Sequence, residues 1–197
     1  MNKRKLQKQK TRELILQTAK NEFIKNGFLN TTTAQIAQSA GIAHGTLFLH
    51  FSSKNILIVE ILDSELDLIS AGIQKLILNA ADLEEMLRLY LDKLQESEDF
   101  FSAVARELPF YPDELRRMIL FRDSILRSNF TQVIETEIKA GKFKAVPQAT
   151  AVDFLFGTIN HFLSLKQIYC KEDSVIAKFK TSIIDTFLTF LNKEKGD

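Results

Sequence analysis

The chain has 197 residues, of which 45% are hydrophobic and 26% are charged, and it contains only seven glycines and three prolines. This composition is typical of a globular protein rich in helix, and we expect no membrane span because no uncharged apolar run reaches about 18 residues. A sole cysteine, Cys170, excludes an internal disulfide, and no apolar signal segment follows the basic N-terminus, so we expect a cytoplasmic protein. Residues 1–54 carry a net charge of +7 and the remainder −6, which indicates a polyanion as partner of the N-terminal part; a solvated basic tail is the alternative.

The first predicted helix runs from about Thr11 to Asn26. Gly27 is expected to end it as a left-handed residue. The basic segment before it, "MNKRKLQKQKTR", has six Lys or Arg in twelve residues. The apolar stripe of this helix recurs every three or four positions and comprises Ile15, Leu16, Ala19 and Phe23.

Two short helices follow in "TTTAQIAQSAGIAHGTLFLHF". Thr32 is the predicted N-cap of the second helix, and Gln35 completes a capping box. Gly41 ends this helix and makes the turn. The third helix is predicted from about His44 to His50. The residues expected to face the core are Ile36, Ala37, Ala40, Ile42, Leu47 and Phe51.

The rest of the chain also has helical periodicity. A fourth helix, capped by Ser52 or Ser53, is predicted from Lys54 to about Asn79. No period-two alternation is long enough to predict a strand. The further predicted helices span residues 83–96, 99–108, 113–140, 148–170 and 174–192. The chain is therefore expected to be all-α, with about nine helices.

A short helix, a turn with glycine and a second short helix form a helix-turn-helix unit. The second helix of such a unit enters the major groove of DNA. Here that helix is "HGTLFLHF", and its outward residues could contact phosphates or base edges. We therefore divide the chain into a DNA-binding domain, residues 1–54, and a second helical domain, residues 55–197. The DNA contacts expected from this unit are His44, Gly45, Thr46, Phe48, Leu49, His50 and Lys54.

The segment "LILQTAKNEFIKNGFLNTTTAQIAQSAGIAHGTLFLHFSSKNIL" resembles the DNA-binding domain of TetR/AcrR-type transcriptional regulators. The resemblance covers residues 10–60 and implies that Thr32 and Lys54 contact phosphates and that Gly45 and Thr46 lie against the DNA backbone. It also implies a basic arm that reaches the DNA, with a disordered tail as the alternative. The matching positions are Ala19, Phe23, Gly27, Phe28, Thr32, Ile36, Ala37, Gly41, Gly45, Thr46, Leu47, Phe51, Lys54 and Leu57.

The sequence departs from the family pattern at positions that usually read DNA. Phe48 replaces the usual tyrosine, so a hydroxyl that reaches a phosphate is absent. Ala43 replaces a capping serine, and Ala34 replaces a base-reading arginine that is common in the family. Leu49 occupies a position that is often polar or aromatic. We therefore expect few direct base contacts.

The family resemblance further implies that residues 55–197 form a regulatory and dimerisation domain with an effector pocket. Its ligand is expected to be a hydrophobic or amphipathic small molecule, with an anionic end as one option, and the alternative is that the aromatic residues are plain core. Polar residues in apolar surroundings could orient the ligand. The candidate lining residues are Phe100, Phe101, Arg106, Phe121, Arg122, Arg127, Phe130, Phe154, Phe156, Asn160, His161 and Phe162.

The last two predicted helices are expected to form a homodimer interface, because their apolar stripes are wider than one small domain needs. The resemblance implies a four-helix bundle across a two-fold axis. Two recognition helices would then meet successive major grooves of an inverted repeat. The expected interface residues are Phe154, Gly157, Ile183, Ile184, Phe187 and Phe190.

Other function classes have less support. The chain lacks the nucleotide-binding and hydrolase motifs of enzymes, and we expect no cofactor. His44 and His50 are six residues apart, a spacing that does not place both on one helix face, so we expect no metal site. Cys170 is either a redox sensor or an unreactive residue. The rival from another class is a helical protein-interaction module that does not bind DNA.

Overall fold

A computed structural model describes residues 3–79, 82–170 and 173–193 and confirms the all-α fold, with an N-terminal helix-turn-helix unit and a larger C-terminal helical unit. Within these ranges there are ten α-helices and no strand beyond an isolated bridge between Phe143 and Asn192. A short 3-10 turn, Leu108–Phe110, joins α6 to α7. The helices are α1 Lys3–Asn26, α2 Thr33–Ser39, α3 His44–His50, α4 Lys54–Leu78, α5 Leu83–Glu96, α6 Glu98–Glu107, α7 Asp113–Lys139, α8 Gln148–Ser164, α9 Lys166–Tyr169 and α10 Val175–Leu191.

Helix α1 begins at Lys3, about two turns before the predicted start at Thr11. Residues 3–10, "KRKLQKQK", are good helix formers and continue the helix without an apolar stripe. The prediction missed this part because it relied on buried residues, and here every side chain is exposed. The described part of the basic segment is thus the first part of a helix, which corrects the disordered-tail alternative. Residues 1 and 2 lie outside the described residues.

The predicted helix 148–170 is interrupted at Leu165, which lies outside helical geometry with φ −106° and ψ 17°. Just before the break, the Ser164 hydroxyl donates a hydrogen bond to the carbonyl of His161 at 2.9 Å. Such a bond competes with the regular helical hydrogen bonds. The segment therefore forms α8 and α9, and the expected nine helices become ten among the described residues.

The first three helices pack around a small core. Phe23 of α1, Ile36 of α2 and Leu47 of α3 are almost completely buried, as predicted. Thr32 caps α2: its hydroxyl accepts from the Gln35 N–H at 3.2 Å, and the Gln35 side chain accepts from the Thr32 N–H at 2.7 Å. The predicted capping box is thereby confirmed. Ser53, one of the two predicted caps, accepts from the N–H of Ile56 at the start of α4.

The remaining helices form a second bundle that is continuous with α4. Its centre is an aromatic cluster in which Tyr90 stacks on Phe156 with ring centroids 5.1 Å apart, and Phe130 meets Phe156 edge-on at 5.4 Å. Phe100 is also fully buried. In the ranges 3–79, 82–170 and 173–193, no helix is long and apolar enough to cross a membrane.

Candidate nucleic-acid interface

The turn between α2 and α3 fixes the orientation of the recognition helix. Gly41 adopts a φ of +66°, in the left-handed region that glycine enters at little cost. The N–H of Gly41 donates to the carbonyl of Gln38 at 3.0 Å, and the N–H of Ile42 donates to the carbonyl of Ala37 at 3.0 Å. Beyond the turn, Leu47 and the adjoining Phe51 are buried. One face of α3 is thus held in the core and the opposite face points outward.

The outward face of α3 is apolar at its centre. Leu49 is 80% exposed and Phe48 is 46% exposed. His44 is exposed as well; its Nε2 lies 3.0 Å from the Thr33 hydroxyl, and its ring meets Phe48 edge-on with centroids 5.0 Å apart. Helix α2 therefore helps to position the first side chain of the recognition helix. Thr32, at the N-terminus of α2, is also exposed.

The first turn of α3 is open to an approaching surface. A Cβ atom added to Gly45 would meet nothing within 4 Å, so the missing side chain leaves a free path to the backbone. Ala43 is exposed and provides no side-chain hydrogen bond to the cap, as its sequence predicted. The neighbouring Thr46 is half-buried. These positions offer backbone and small side chains instead of long polar groups.

Arg12 of α1 holds the other end of α3, a role that sequence reasoning did not find. Its guanidinium donates to the carbonyl of His50 at 2.9 Å, lies 4.3 Å from the centroid of the Phe51 ring and pairs with Glu60 of α4. Its hydrogen-bond partners are 38 and 48 residues away in the chain, so no local pattern reveals them. Arg12 thus joins α1, α3 and α4.

His50 is the last residue of α3 and lies beside Arg12. Its Nδ1 is buried without a hydrogen-bond partner. Burial lowers the pKa of His50, and the positive charges of Lys8 and Arg12 lower this pKa further. The imidazole is therefore held in its neutral form at the end of the recognition helix. The same electrostatic effect shows that the basic start of α1 lies near α3.

Lys54 makes contacts within the protein that the sequence did not predict. Its ammonium group donates to the carbonyls of Phe28 at 2.7 Å and Thr31 at 2.8 Å, and it lies 4.2 Å from the centroid of the Phe28 ring. Two of its three N–H donors are thus used inside the protein. Burial lowers the pKa of Lys54, an effect that the Glu107 carboxylate opposes. Lys54 thus stabilises the loop after α1, and its contact with a phosphate stays a prediction.

The positive charge that would attract a polyanion lies outside the helix-turn-helix unit. Residues 31–53 contain no Lys, Arg, Asp or Glu. Helix α1 instead presents its basic side chains on its first turns, at Lys3, Lys5, Lys8 and Lys10, all of which are exposed. The interface therefore consists of an uncharged apolar recognition surface beside a basic helix.

The predicted effector residues do not form a common pocket. The structure contains a cavity of about 70 Å³ that is lined by residues of all five helices from α4 to α8, and of the proposed residues only Phe101 and Asn160 line it. Phe100, Phe130 and Phe156 are fully packed core, whereas Phe121 and Phe154 are 61% and 66% exposed. The sequence could not distinguish these cases because all five are phenylalanines on helices.

The polar effector candidates have partners elsewhere. Arg122 pairs with Asp63 at 2.7 Å, and Arg127 pairs with Asp123 and with Asp153. Arg106 lies 3.8 Å from Glu107. His161 contacts the Tyr169 hydroxyl at 3.1 Å beside the half-buried Phe162. The polar group at the cavity that the prediction missed is Asp123, whose pKa is raised chiefly by burial.

The expected dimer residues, in contrast, lie mostly together. A groove of about 380 Å³ runs between α8 and α10, and Phe154, Ile183, Phe187 and Phe190 line it. Gly157 is exposed beside this groove. Ile184 is the exception: it is 1% exposed and points into the core, since it is one helical position away from the groove-lining Ile183. Its assignment to the interface was wrong.

Parts of the chain are similar to known regulatory proteins. Residues 15–61 match the family model of bacterial regulatory proteins, tetR family. The transcriptional repressor KstR2 of Mycolicibacterium smegmatis is 28% identical over 68% of this chain and 67% of its own length. The transcriptional regulator TtgR of Pseudomonas putida is 41% identical over 56 residues, which are 28% of this chain and 27% of that protein.

Solved structures share the complete fold. The regulator FadR of Bacillus subtilis, in complex with stearoyl-CoA, has a TM-score of 0.79 and 20% identity over 91% of this chain and 99% of its own. The ketosteroid regulator KstR2 of Mycobacterium tuberculosis has a TM-score of 0.71 and 21% identity, covering 93% and 95% of the two chains. At these identities the likeness concerns the fold.

Proposed function

We propose that the chain, whose residues 15–61 match the tetR family of bacterial regulatory proteins, is a ligand-responsive repressor that binds an inverted-repeat operator as a homodimer. The observation that carries the proposal is the anchored α3, which presents an exposed face beside the basic α1. Residues 1–54 are proposed as the DNA-binding domain and residues 55–197 as the regulatory domain. The relative KstR2 is itself a repressor.

The proposed DNA contacts divide into two types. The α3 positions lie in the major groove, where the apolar side chains of Phe48 and Leu49 contact thymine methyl groups or the sugar edge. The gap at Gly45 lets the backbone approach a phosphate. The basic side chains of α1 supply the salt-dependent attraction that every DNA-binding protein needs. The proposed α2 and α3 contacts are Thr32, Ala43, His44, Gly45, Thr46, Phe48, Leu49 and His50.

The dimer is proposed to form through the groove between α8 and α10. A monomer would leave the aromatic side chains of Phe154 and Phe190 in water. Burial of apolar area contributes roughly 25 cal/mol per Å², so covering this groove with the same groove of a second copy is favourable. A two-fold dimer presents two α3 helices about one turn of DNA apart.

The effector is proposed to be a hydrophobic or amphipathic molecule that enters the cavity lined by α4 to α8. Ligand pockets usually measure roughly 300–1,000 Å³, whereas this cavity measures about 70 Å³. A ligand must therefore separate the helices, among them α4 with Leu62 and Leu66. Because α4 also adjoins α3, this movement would change the position of the recognition helix. The acyl-CoA complex of FadR is consistent with an apolar ligand.

The test is selection of DNA fragments by the purified full chain, repeated with stearoyl-CoA as the first probe. We expect enrichment of fragments that share an inverted repeat, and release of these fragments when the probe binds. Enrichment without release would retain the DNA-binding function and reject this ligand. Failure to retain any fragment at low salt would overturn the proposal in favour of a protein-interaction module.

A further inference from the structure

Helix α6 contacts the DNA-binding domain directly through Glu107. The carboxylate of Glu107 accepts a hydrogen bond from the main-chain N–H of Leu29 at 3.1 Å, in the loop that follows α1. Glu107 belongs to the last turn of α6 and is almost completely buried. The buried Glu107 carboxylate needs such a donor, because leaving a buried charged group unpaired is costly. We refer to this pair as the Glu107–Leu29 contact.

The loop is shaped to receive this carboxylate. Gly27 has a φ of +79°, and a Cβ atom added there would overlap the Glu107 carboxylate. The next residue, Phe28, meets the ring of Tyr111 edge-on with centroids 5.0 Å apart. Lys54 holds the same loop from the other side through the carbonyls of Phe28 and Thr31. The contact thus joins complementary surfaces.

The same end of α6 lines the cavity. Val104 and Ala105, one turn or less from Glu107, and Leu108, which follows it, are cavity-lining residues. A helix moves as a unit over such short distances, since its backbone hydrogen bonds link successive turns. A ligand that moves α6 away from the other cavity-lining helices would therefore displace the Glu107 carboxylate from Leu29.

We propose that Glu107 is a positioning residue that transmits filling of the cavity to the DNA-binding domain. Filling of the cavity withdraws Glu107 from the Leu29 N–H and releases the α1–α2 loop. This route through α6 is separate from the direct connection through α4. Its effect on the operator rests on the proposed function, whereas breakage of the contact can be measured without DNA.

Ala105→Leu in the full chain mimics a ligand, because the larger side chain enters the small cavity. Ala103→Leu is the matched control: Ala103 is buried on the same helix but does not line the cavity. We measure hydrogen exchange of the Leu29 amide. Ala105→Leu should accelerate exchange by roughly tenfold or more, as expected when a hydrogen bond to a charged group is broken, and Ala103→Leu should not. Ala105→Val, a smaller change, replaces Ala105→Leu if the latter fails to fold.

Glu107 variants decide whether the signal passes through this side chain. Glu107→Ala should accelerate Leu29 exchange by itself, and adding Ala105→Leu should then have no further effect on exchange or on operator affinity. Glu107→Gln keeps an acceptor oxygen and should restore most of the protection. Unchanged Leu29 exchange in Ala105→Leu, equal effects of the two alanine variants, or a full Ala105→Leu effect on Glu107→Ala would each overturn the proposal. Absence of operator binding with the expected exchange pattern would reject the proposed function alone.

Discussion

Two apolar surfaces of this protein differ in their electrostatic surroundings. The outward face of α3 exposes Phe48 and Leu49 beside a helix that begins with a series of lysines. The groove between α8 and α10 exposes Phe154 and Phe190 in a segment with few charges. Surfaces of similar hydrophobicity are therefore suited to different partners, since a polyanion requires nearby cations and a second copy of an apolar groove does not.

The comparison also concerns how each surface is supported. Helix α3 is short, and its position depends on Arg12, Gly41 and the two buried anchors Leu47 and Phe51. Helices α8 and α10 are each 17 residues long and pack on the main core. A substitution near α3 should therefore alter DNA binding with little effect on assembly. A substitution in the groove between α8 and α10 should alter both assembly and DNA binding, because the proposed operator is bound by the two DNA-binding domains of one dimer.

The largest effect is expected when the groove is charged. Phe154→Asp together with Phe190→Asp places carboxylates in the proposed interface and should produce a monomer by light scattering. Operator affinity should fall by about 10² or more, because the second DNA-binding domain is no longer held close to its half-site by the first. Phe121→Asp is the matched control, since Phe121 is similarly exposed but lies on α7. A dimer that survives the double substitution would contradict the assigned interface.

The next effect concerns the basic start of α1. Deleting residues 2–9 removes Lys3, Arg4, Lys5 and Lys8. Affinity for all DNA sequences should fall together, and the slope of log affinity against log salt should decrease by about 0.9 for each phosphate that the shortened helix no longer neutralises. Fluorescence anisotropy at several salt concentrations measures both quantities. An unchanged slope would show that these side chains do not pair with phosphates.

Gly45 separates stability from binding. Gly45→Ala should leave the fold intact or stabilise it by up to about 1 kcal/mol, because alanine favours helix and its Cβ meets nothing within 4 Å. The same methyl group should weaken operator binding by roughly tenfold, since it occupies the path to the DNA backbone. Thermal unfolding and an anisotropy titration give the two values. Gly72→Ala is a contrasting control, because its Cβ would clash with Leu89 inside the body. Full operator affinity in Gly45→Ala would contradict the close approach.

The smallest expected effect is a pH dependence from His50. Its lowered pKa means that the unfolded chain binds more protons near pH 6.5, so this contribution to stability is present above about pH 6.5 and is lost as pH falls. Protonation would place a positive charge near those of Lys8 and Arg12. The Tm of the wild type should therefore decrease more between pH 8 and pH 5 than that of His50→Gln. Parallel curves for the wild type and His50→Gln would contradict this role.

The DNA-binding unit could be predicted from the sequence because its determinants are local. Thr32 and Gln35 form their capping box three residues apart, and Gly41 lies in its turn as expected. The hydrogen bonds of Lys54 were not predicted, because its acceptors, the carbonyls of Phe28 and Thr31, lie 26 and 23 residues away. Local patterns also cannot reveal the hydrogen bond from Arg12 to the His50 carbonyl or the one from the Leu29 N–H to Glu107, because these partners are 38 and 78 residues apart.

The C-terminal bundle was predicted to be helical and to hold an effector pocket, but only Phe101 and Asn160 of the predicted lining residues line the cavity. Phe100 and Phe121 are the same residue type on helices, yet one is fully buried and the other faces outward. Their burial depends on which helix packs beside them, and that information is distributed over the whole chain. The helical period identified the groove between α8 and α10 better, although it did not exclude Ile184, which faces inward.

The most direct test of the central claim is a hydroxyl-radical footprint of the full chain on a selected fragment. The two-headed arrangement predicts two symmetric protected half-sites, with centres about 10 base pairs or a multiple of this distance apart. The pattern should disappear in the Phe154→Asp and Phe190→Asp double variant. A single unsymmetric protected patch, or uniform cleavage at protein concentrations that saturate the fragment, would contradict a dimeric, operator-binding regulator.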